Sequence, residues 1–146
     1  MRTAVVALAV SVSVVVAVGA AAEAPPGQTR DASDYQFGAD TGLLVFHVHR
    51  ERAADFEAVM TRLGQALQAS AAPGRREQAA GWRFFRGREE MDAIVYVLVL
   101  EPVVRGADYD PVKMFTEFMP AEAPDLYERL KGAVVRVERL DLERLP

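Results

Sequence analysis

Ala93-Ile94-Val95-Tyr96-Val97-Leu98-Val99-Leu100 has no charged or strongly polar position. Side chains on a strand alternate between its two faces. Ile94, Tyr96 and Leu98 therefore share one side, Val95, Val97 and Val99 the other, and both sides are apolar, which suits a central strand. The polar run Gly87–Asp92 before it reads as a hairpin connection, and Gly81–Arg86 before that as a second strand. Ala53–Ala69 places Phe56, Val59, Met60, Leu63 and Leu67 on one helical face, and Ala72-Pro73-Gly74 stops that helix. Leu43–His49, β-branched and aromatic in its middle, is the first strand.

Beyond Leu100, Glu101–Tyr109 reads as a loop. Asp110-Pro111 marks a helix start, with Asp at the cap and Pro in the first turn. Val112, Phe115 and Met119 form the apolar side of that helix. Pro120 and Pro124 break it, and a second piece runs from Pro124 to Lys131, ending at Gly132. Ala133–Leu140 is the last strand. The order strand, helix, strand, strand, helix, strand predicts an α+β, ferredoxin-like split βαβ fold (βαββαβ): a four-stranded antiparallel sheet with helices on one face.

The front of the chain carries a different signal. Arg2 precedes the almost unbroken Ala, Val and Leu stretch Ala4–Val18, and Gly19-Ala20-Ala21-Ala22 supplies small residues. This is the pattern of a signal peptide cut before Glu23, so the expected product is exported, periplasmic or secreted. A retained N-terminal membrane anchor is the alternative. No Cys follows the apolar run, which excludes lipidation there. The division is a signal peptide over 1–22, a Pro- and Gly-containing linker over 23–41 with ordering near Tyr35 and Phe37, and one α+β domain over 42–146.

Composition removes several classes of function. The chain has no Cys, which rules out thiol chemistry, disulfides, iron–sulfur ligation and Cys-based zinc sites. Its formal charge is −4 with scattered Arg, which makes it a poor candidate for nucleic acid, a partner that requires a basic face. Past the signal stretch the serines are Ser33 and Ser70, neither at a strand-to-helix elbow, which argues against a serine hydrolase. There is no Asn.

The helices can cover one sheet face only. On the first strand Leu44, Phe46 and Val48 are assigned to the helix side, and Val45, His47 and His49 to the open side. On the last strand Val135 and Val137 are assigned to the helices, and Arg136 and Glu138 to the open side. Trp82 and Phe84 fall on one face of the second strand and Phe85 on the other. An open face mixing aliphatic, aromatic and polar groups is poor solvent surface and suits a second subunit, with room for a cavity between the two.

The element order, together with Asp108-Tyr109-Asp110-Pro111, Pro120-Ala121-Glu122-Ala123-Pro124 and Leu130-Lys131-Gly132-Ala133, resembles the dimeric α/β-barrel superfamily, which includes the antibiotic-biosynthesis-monooxygenase-like domains. The resemblance spans about Gly42 to Leu140 and rests on layout. It implies a homodimer with two sheets face to face and a pocket on each open face. Members include cofactor-independent monooxygenases of aromatic polyketides, haem-degrading enzymes and exported proteins of unknown role. Some members use an Asn, Trp and His set. This chain has Trp82 and two histidines but no Asn, so that set does not transfer one for one.

The candidate catalytic residues are His47 and His49, two apart on a strand and about 7 Å from each other. They are candidates for a general base or a metal or haem ligand pair, with Glu138 a third ligand if the last strand neighbours the first. The alternative is a polar contact at the interface. Trp82, Tyr96, Arg136 and Glu138 are the candidate pocket residues, against core packing for the two aromatics and cross-strand or cross-subunit salt bridging for the ion pair. No metal site is expected, and haem is the one cofactor kept as an alternative. Two functions follow. One is an exported dimer that binds a small apolar or aromatic ligand. The other is a cofactor-independent monooxygenase or haem-interacting enzyme, with His47 or His49 as base, Trp82 and Tyr96 as walls and Arg136 on a developing oxyanion.

Overall fold

A computed structural model describes residues 35–146. The signal-peptide reading of residues 1–22 and most of the linker lie outside the described residues. Nine elements follow: strand β1 (Thr41–His49), a single 3-10 turn (Arg50–Arg52), helices α1 (Ala53–Ala69) and α2 (Pro73–Gly81), strands β2 (Trp82–Glu90) and β3 (Ala93–Leu100), helices α3 (Pro111–Phe118) and α4 (Ala123–Ala133), and strand β4 (Val134–Leu142). The strands form one antiparallel sheet in the order β2-β3-β1-β4. This is the expected ferredoxin-like α+β arrangement. Among the described residues no helix is long and apolar enough to cross a membrane.

The core lies between the sheet and the helices. Leu44, Phe46 and Val48 of β1 and Ile94, Tyr96, Leu98 and Leu100 of β3 are buried against Phe56, Val59, Met60, Leu63 and Leu67, the α1 face read from the sequence. Phe56 centres an aromatic cluster, its ring centroid 5.2 Å from Phe46, 5.0 Å from Tyr96 and 5.9 Å from Phe84. Such contacts add roughly 0.5–1.5 kcal/mol each beyond burial of area. Tyr35 and Phe37, just before β1, are buried in the same core, and the Tyr35 carbonyl accepts from the Tyr109 backbone N–H at 3.0 Å.

Three local expectations need correction. Ala72-Pro73-Gly74 does end α1, but Pro73 also opens α2, because a proline ring is pre-set for a first helical turn. The β2–β3 connection is shorter than Gly87–Asp92: β2 runs to Glu90 and the turn is Met91-Asp92, with Met91 at φ 45°. The polar run Gly87–Glu90 belongs to the strand because β2 is an edge strand, and charge on an edge keeps it from pairing with other chains. Gly132 is no left-handed cap: it sits inside α4, which passes directly into β4. The Asp110 cap is as expected, its carboxylate accepting from the Val112 N–H at 2.8 Å.

Gly81, at the junction of α2 and β2, is required by a close approach. A Cβ there would stand 2.3 Å from the Pro102 carbonyl oxygen, a backbone atom that cannot swing aside, while the Gly81 carbonyl accepts from the Glu101 N–H at 2.9 Å. Gly81→Ala is expected to destabilise by about 1–3 kcal/mol in urea unfolding. Gly132→Ala, whose Cβ would meet nothing within 4 Å, is expected to be neutral or to stabilise by up to about 1 kcal/mol.

Candidate functional site

Among the described residues, the four helices leave one side of the sheet bare. Cross-strand pairing lays that side out in three rows. Arg83, Val99, Leu43 and Leu140 form one row across β2, β3, β1 and β4; Phe85, Val97, Val45 and Glu138 form the next; Gly87, Val95, His47 and Arg136 fall in the third. The two central columns are aliphatic except for His47. Apolar side chains at the margins stand well out of the surface: Phe85 is 53 % exposed and Leu140 45 %.

Both edge strands are irregular at the His47 row. On β2 the register shifts between Arg86 and Glu89, where a Cβ on Gly87 would stand 2.9 Å from the Val95 carbonyl oxygen. On β4 the register shifts so that His47 pairs with Arg136 and Val48 with Val134. Val135 is thus the unpaired bulge residue. It is exposed, not helix-facing as its apolar character suggested, because a bulge breaks the two-residue alternation. Val137 does pack against the core.

The β4 register brings three polar side chains together. His47 Nε2 lies 3.0 Å from an Arg136 guanidinium nitrogen and 3.1 Å from Glu138 Oε1, and Arg136 pairs with Glu138 at 3.1 Å. The His47 side chain is only 12 % exposed, whereas Arg136 and Glu138 reach further into solvent. The adjacency of first and last strands, on which the Glu138 suggestion depended, is thus present.

The other candidates lie elsewhere. His49 is exposed at the end of β1, beside a shallow depression lined by Arg50, Glu51 and Asp92. Among the described residues no group of three or more His, Cys, Asp or Glu is arranged to hold a metal ion. Trp82 packs on the helix side, its Nε1 3.4 Å from the position a Cβ of Gly64 would take. Tyr96 also faces the helices and is buried. Trp82 and Tyr96 therefore do not line a pocket with His47, Arg136 and Glu138. β3 is apolar on both faces, so its sequence alone could not say which set meets the helices.

Tyr96 belongs to a different polar group. Its hydroxyl donates to Glu57 Oε1 at 2.5 Å, and Arg86 donates to the same oxygen at 2.8 Å. Burial pushes the Tyr96 phenol up to about 12, with further help from the Glu57 hydrogen bond and charge and some opposition from Arg86. A second polar group depends on α2, a helix that the sequence pattern does not announce. Buried Gln78 accepts from Arg75 at 2.7 Å and donates to the Asp108 carbonyl at 3.2 Å, tying α2 to the loop before α3. Nearby, the Tyr109 hydroxyl accepts from the Val104 N–H at 2.9 Å, and burial raises its pKa.

Two hollows occur away from the open face. One, of about 70 Å³, is on the helix side between α3, α4 and the strands, lined by Tyr35, Phe46, Val112, Leu130, Val134 and Val137 among others. The other is a broad cleft of about 940 Å³ at the end of the sheet. Within it Arg105 pairs with Asp40 at 2.7 Å and Arg144 with Glu101 at 2.9 Å. Comparison with protein-family models, with curated proteins and with solved structures finds no match.

Alkaline titration reports the Tyr96 group. In the unfolded chain a phenol loses its proton near pH 10, whereas folded Tyr96 holds it to about 12. The raised value favours the folded state fully below about pH 10, and that advantage is lost as pH climbs to about 12. Ultraviolet titration of the phenolates should show late-ionising tyrosines, with one fewer in Tyr96→Phe. All tyrosines titrating together near pH 10 would contradict the described environment.

Proposed function

We propose that this is an exported, homodimeric ligand-binding module whose open sheet face packs against the same face of a second copy and holds a small apolar or aromatic ligand at the margin of that contact. The observation that carries it is the aliphatic centre of the open face: Leu43, Val45, Val95, Val97 and Val99 on the two inner strands, extended by Phe85 and Leu140 at the edges. Strands of nine residues, about 3.3 Å per residue and about 4.8 Å apart, give a four-stranded face on the order of 500–600 Å² in projection. Side-chain relief brings the accessible area toward the roughly 800 Å² per partner of a stable interface. Stacked sheets stand about 10 Å apart, and the ligand is placed at the β4 edge, where the strand bulges at Val135 beside His47, Arg136 and Glu138. Export is supported by Arg2, the Ala4–Val18 stretch and Ala20-x-Ala22.

A second reading, a cofactor-independent monooxygenase or haem-interacting enzyme, is favoured by one contact. Arg136 and Glu138 converge on one nitrogen of His47, which gives that imidazole both a cation to hold a developing oxyanion and a carboxylate to stabilise its charged form. His47 is the base in this reading, and Trp82 and Tyr96 drop out as walls. Haemin added to the purified protein separates the readings: a Soret shift lost in His47→Ala supports a haem role, and an unshifted band argues against it.

The dimer is tested by light scattering after size exclusion at micromolar concentration. The wild-type domain is expected at twice the chain mass. Val97→Arg, which sets a charge in the centre of the open face, is expected to give a folded monomer with unchanged far-ultraviolet circular dichroism. A monomeric wild type, or a Val97→Arg variant that remains dimeric, would overturn the reading.

A further inference from the structure

His47 offers one ring nitrogen to two groups that make opposite demands of it. Arg136 stands 3.0 Å from Nε2 and can only donate; ionised Glu138 stands 3.1 Å from the same atom and can only accept. A ring nitrogen carries a proton and donates, or is bare and accepts. The two contacts therefore cannot be hydrogen bonds of one ring state: Nε2 is bare in one and carries a proton in the other. With Nε2 bare, Arg136 donates to it and also pairs with Glu138 at 3.1 Å, and the three groups carry no net charge. With both ring nitrogens protonated, Nε2–H donates to Glu138, Arg136 faces a second cation, and the group carries one positive charge.

We propose that His47 is a proton-operated latch on the open face: neutral, it locks Arg136 and Glu138 into an uncharged cluster that can be covered by a second copy, and protonated, it displaces Arg136 and opens the dimer. The surroundings are consistent with a single controlling group. From β3 the residues facing His47 are Ala93, Val95 and Val97, none of them titratable. From β4 they are Arg136 and Glu138. On β1 itself the same side carries Val45 and His49, the latter exposed at the strand end. Among the described residues no helix covers this side. Burying a net charge between two sheets is costly unless it is paired, so proton uptake favours the separated protomers.

The effect on assembly rests on the dimer reading above, whereas the exchange of partners at Nε2 is a property of one protomer, and the two are measured separately. Nitrogen-15 NMR of the imidazole over a series of falling pH is expected to show His47 Nε2 bare and Nδ1 protonated at the alkaline end, and Nε2 carrying a proton at the acidic end. Sedimentation over the same range is expected to show the dimer Kd rising by up to about 100-fold per pH unit at its steepest, since each protomer takes up one proton. His49→Gln should keep that dependence, and His47→Gln should abolish it. A dimer whose Kd does not vary with pH, or varies equally in His47→Gln, overturns the latch and leaves the dimer standing. Absence of dimer at any pH overturns the dimer reading and the assembly half of the latch. An Nε2–H tautomer at the alkaline end overturns the partner exchange in either case.

Discussion

One constraint organises this molecule: a sheet has two faces, and the described helices all pack on one of them. β3 is apolar on both sides, so covering Ile94, Tyr96, Leu98 and Leu100 leaves Val95, Val97 and Val99 on the other. β1 adds Leu43 and Val45 to that bare side. Hydrophobic burial scales with area at roughly 25 cal/mol per Å², and the aliphatic columns are contiguous across the two inner strands, so the incentive to cover them is collective. The polar residues of these rows lie toward the edges: Arg83 on β2, and Arg136 and Glu138 on β4 with His47 beside them on β1. An apolar centre with a polar rim is the anatomy of an interface core.

The sheet's irregularities shape where chemistry is available on that face. β4 bulges at Val135 and β2 shifts register around Gly87, both at the level of His47. Bulges bend and twist a strand and re-aim neighbouring side chains. Here the β4 bulge sets the register that pairs Arg136 with His47 and places Glu138 within reach of the same nitrogen. The opposite side of the sheet is closed differently, through the Phe56 cluster, the Tyr96–Glu57–Arg86 group and the Gln78 ties. The two sides thus differ in kind: one carries these ties to the helices, the other the aliphatic columns and the His47 group.

Much of the fold was legible because it follows from short-range patterns. The α1 face, the Asp110 cap and the alternation along β1 each depend on residues a few positions apart, and each is found as read. What failed depends on contacts distant in sequence. Edge position, which lets Gly87–Glu90 be strand, is a property of the sheet and not of the segment. The bulge at Val135 is visible only once β4 is paired with β1. The facing of Trp82 and Tyr96 could not be decided because β2 and β3 carry apolar groups on both sides. Of the site, His47, Arg136 and Glu138 were identified from alternation and do meet, whereas the aromatic walls assigned to them lie on the other side of the sheet. Leu43, Phe85 and Leu140 gained their significance only from the cross-strand rows.

The account stands or falls on what covers the aliphatic centre of the open face, and isotope-filtered nuclear Overhauser spectroscopy on a mixture of labelled and unlabelled chains observes this directly. Intermolecular contacts are expected among the methyl groups of Val45, Val95, Val97 and Val99. Their absence at a concentration where the chain is folded, or contacts arising from the outer surfaces of the helices instead, would contradict the assignment of this face to a second copy.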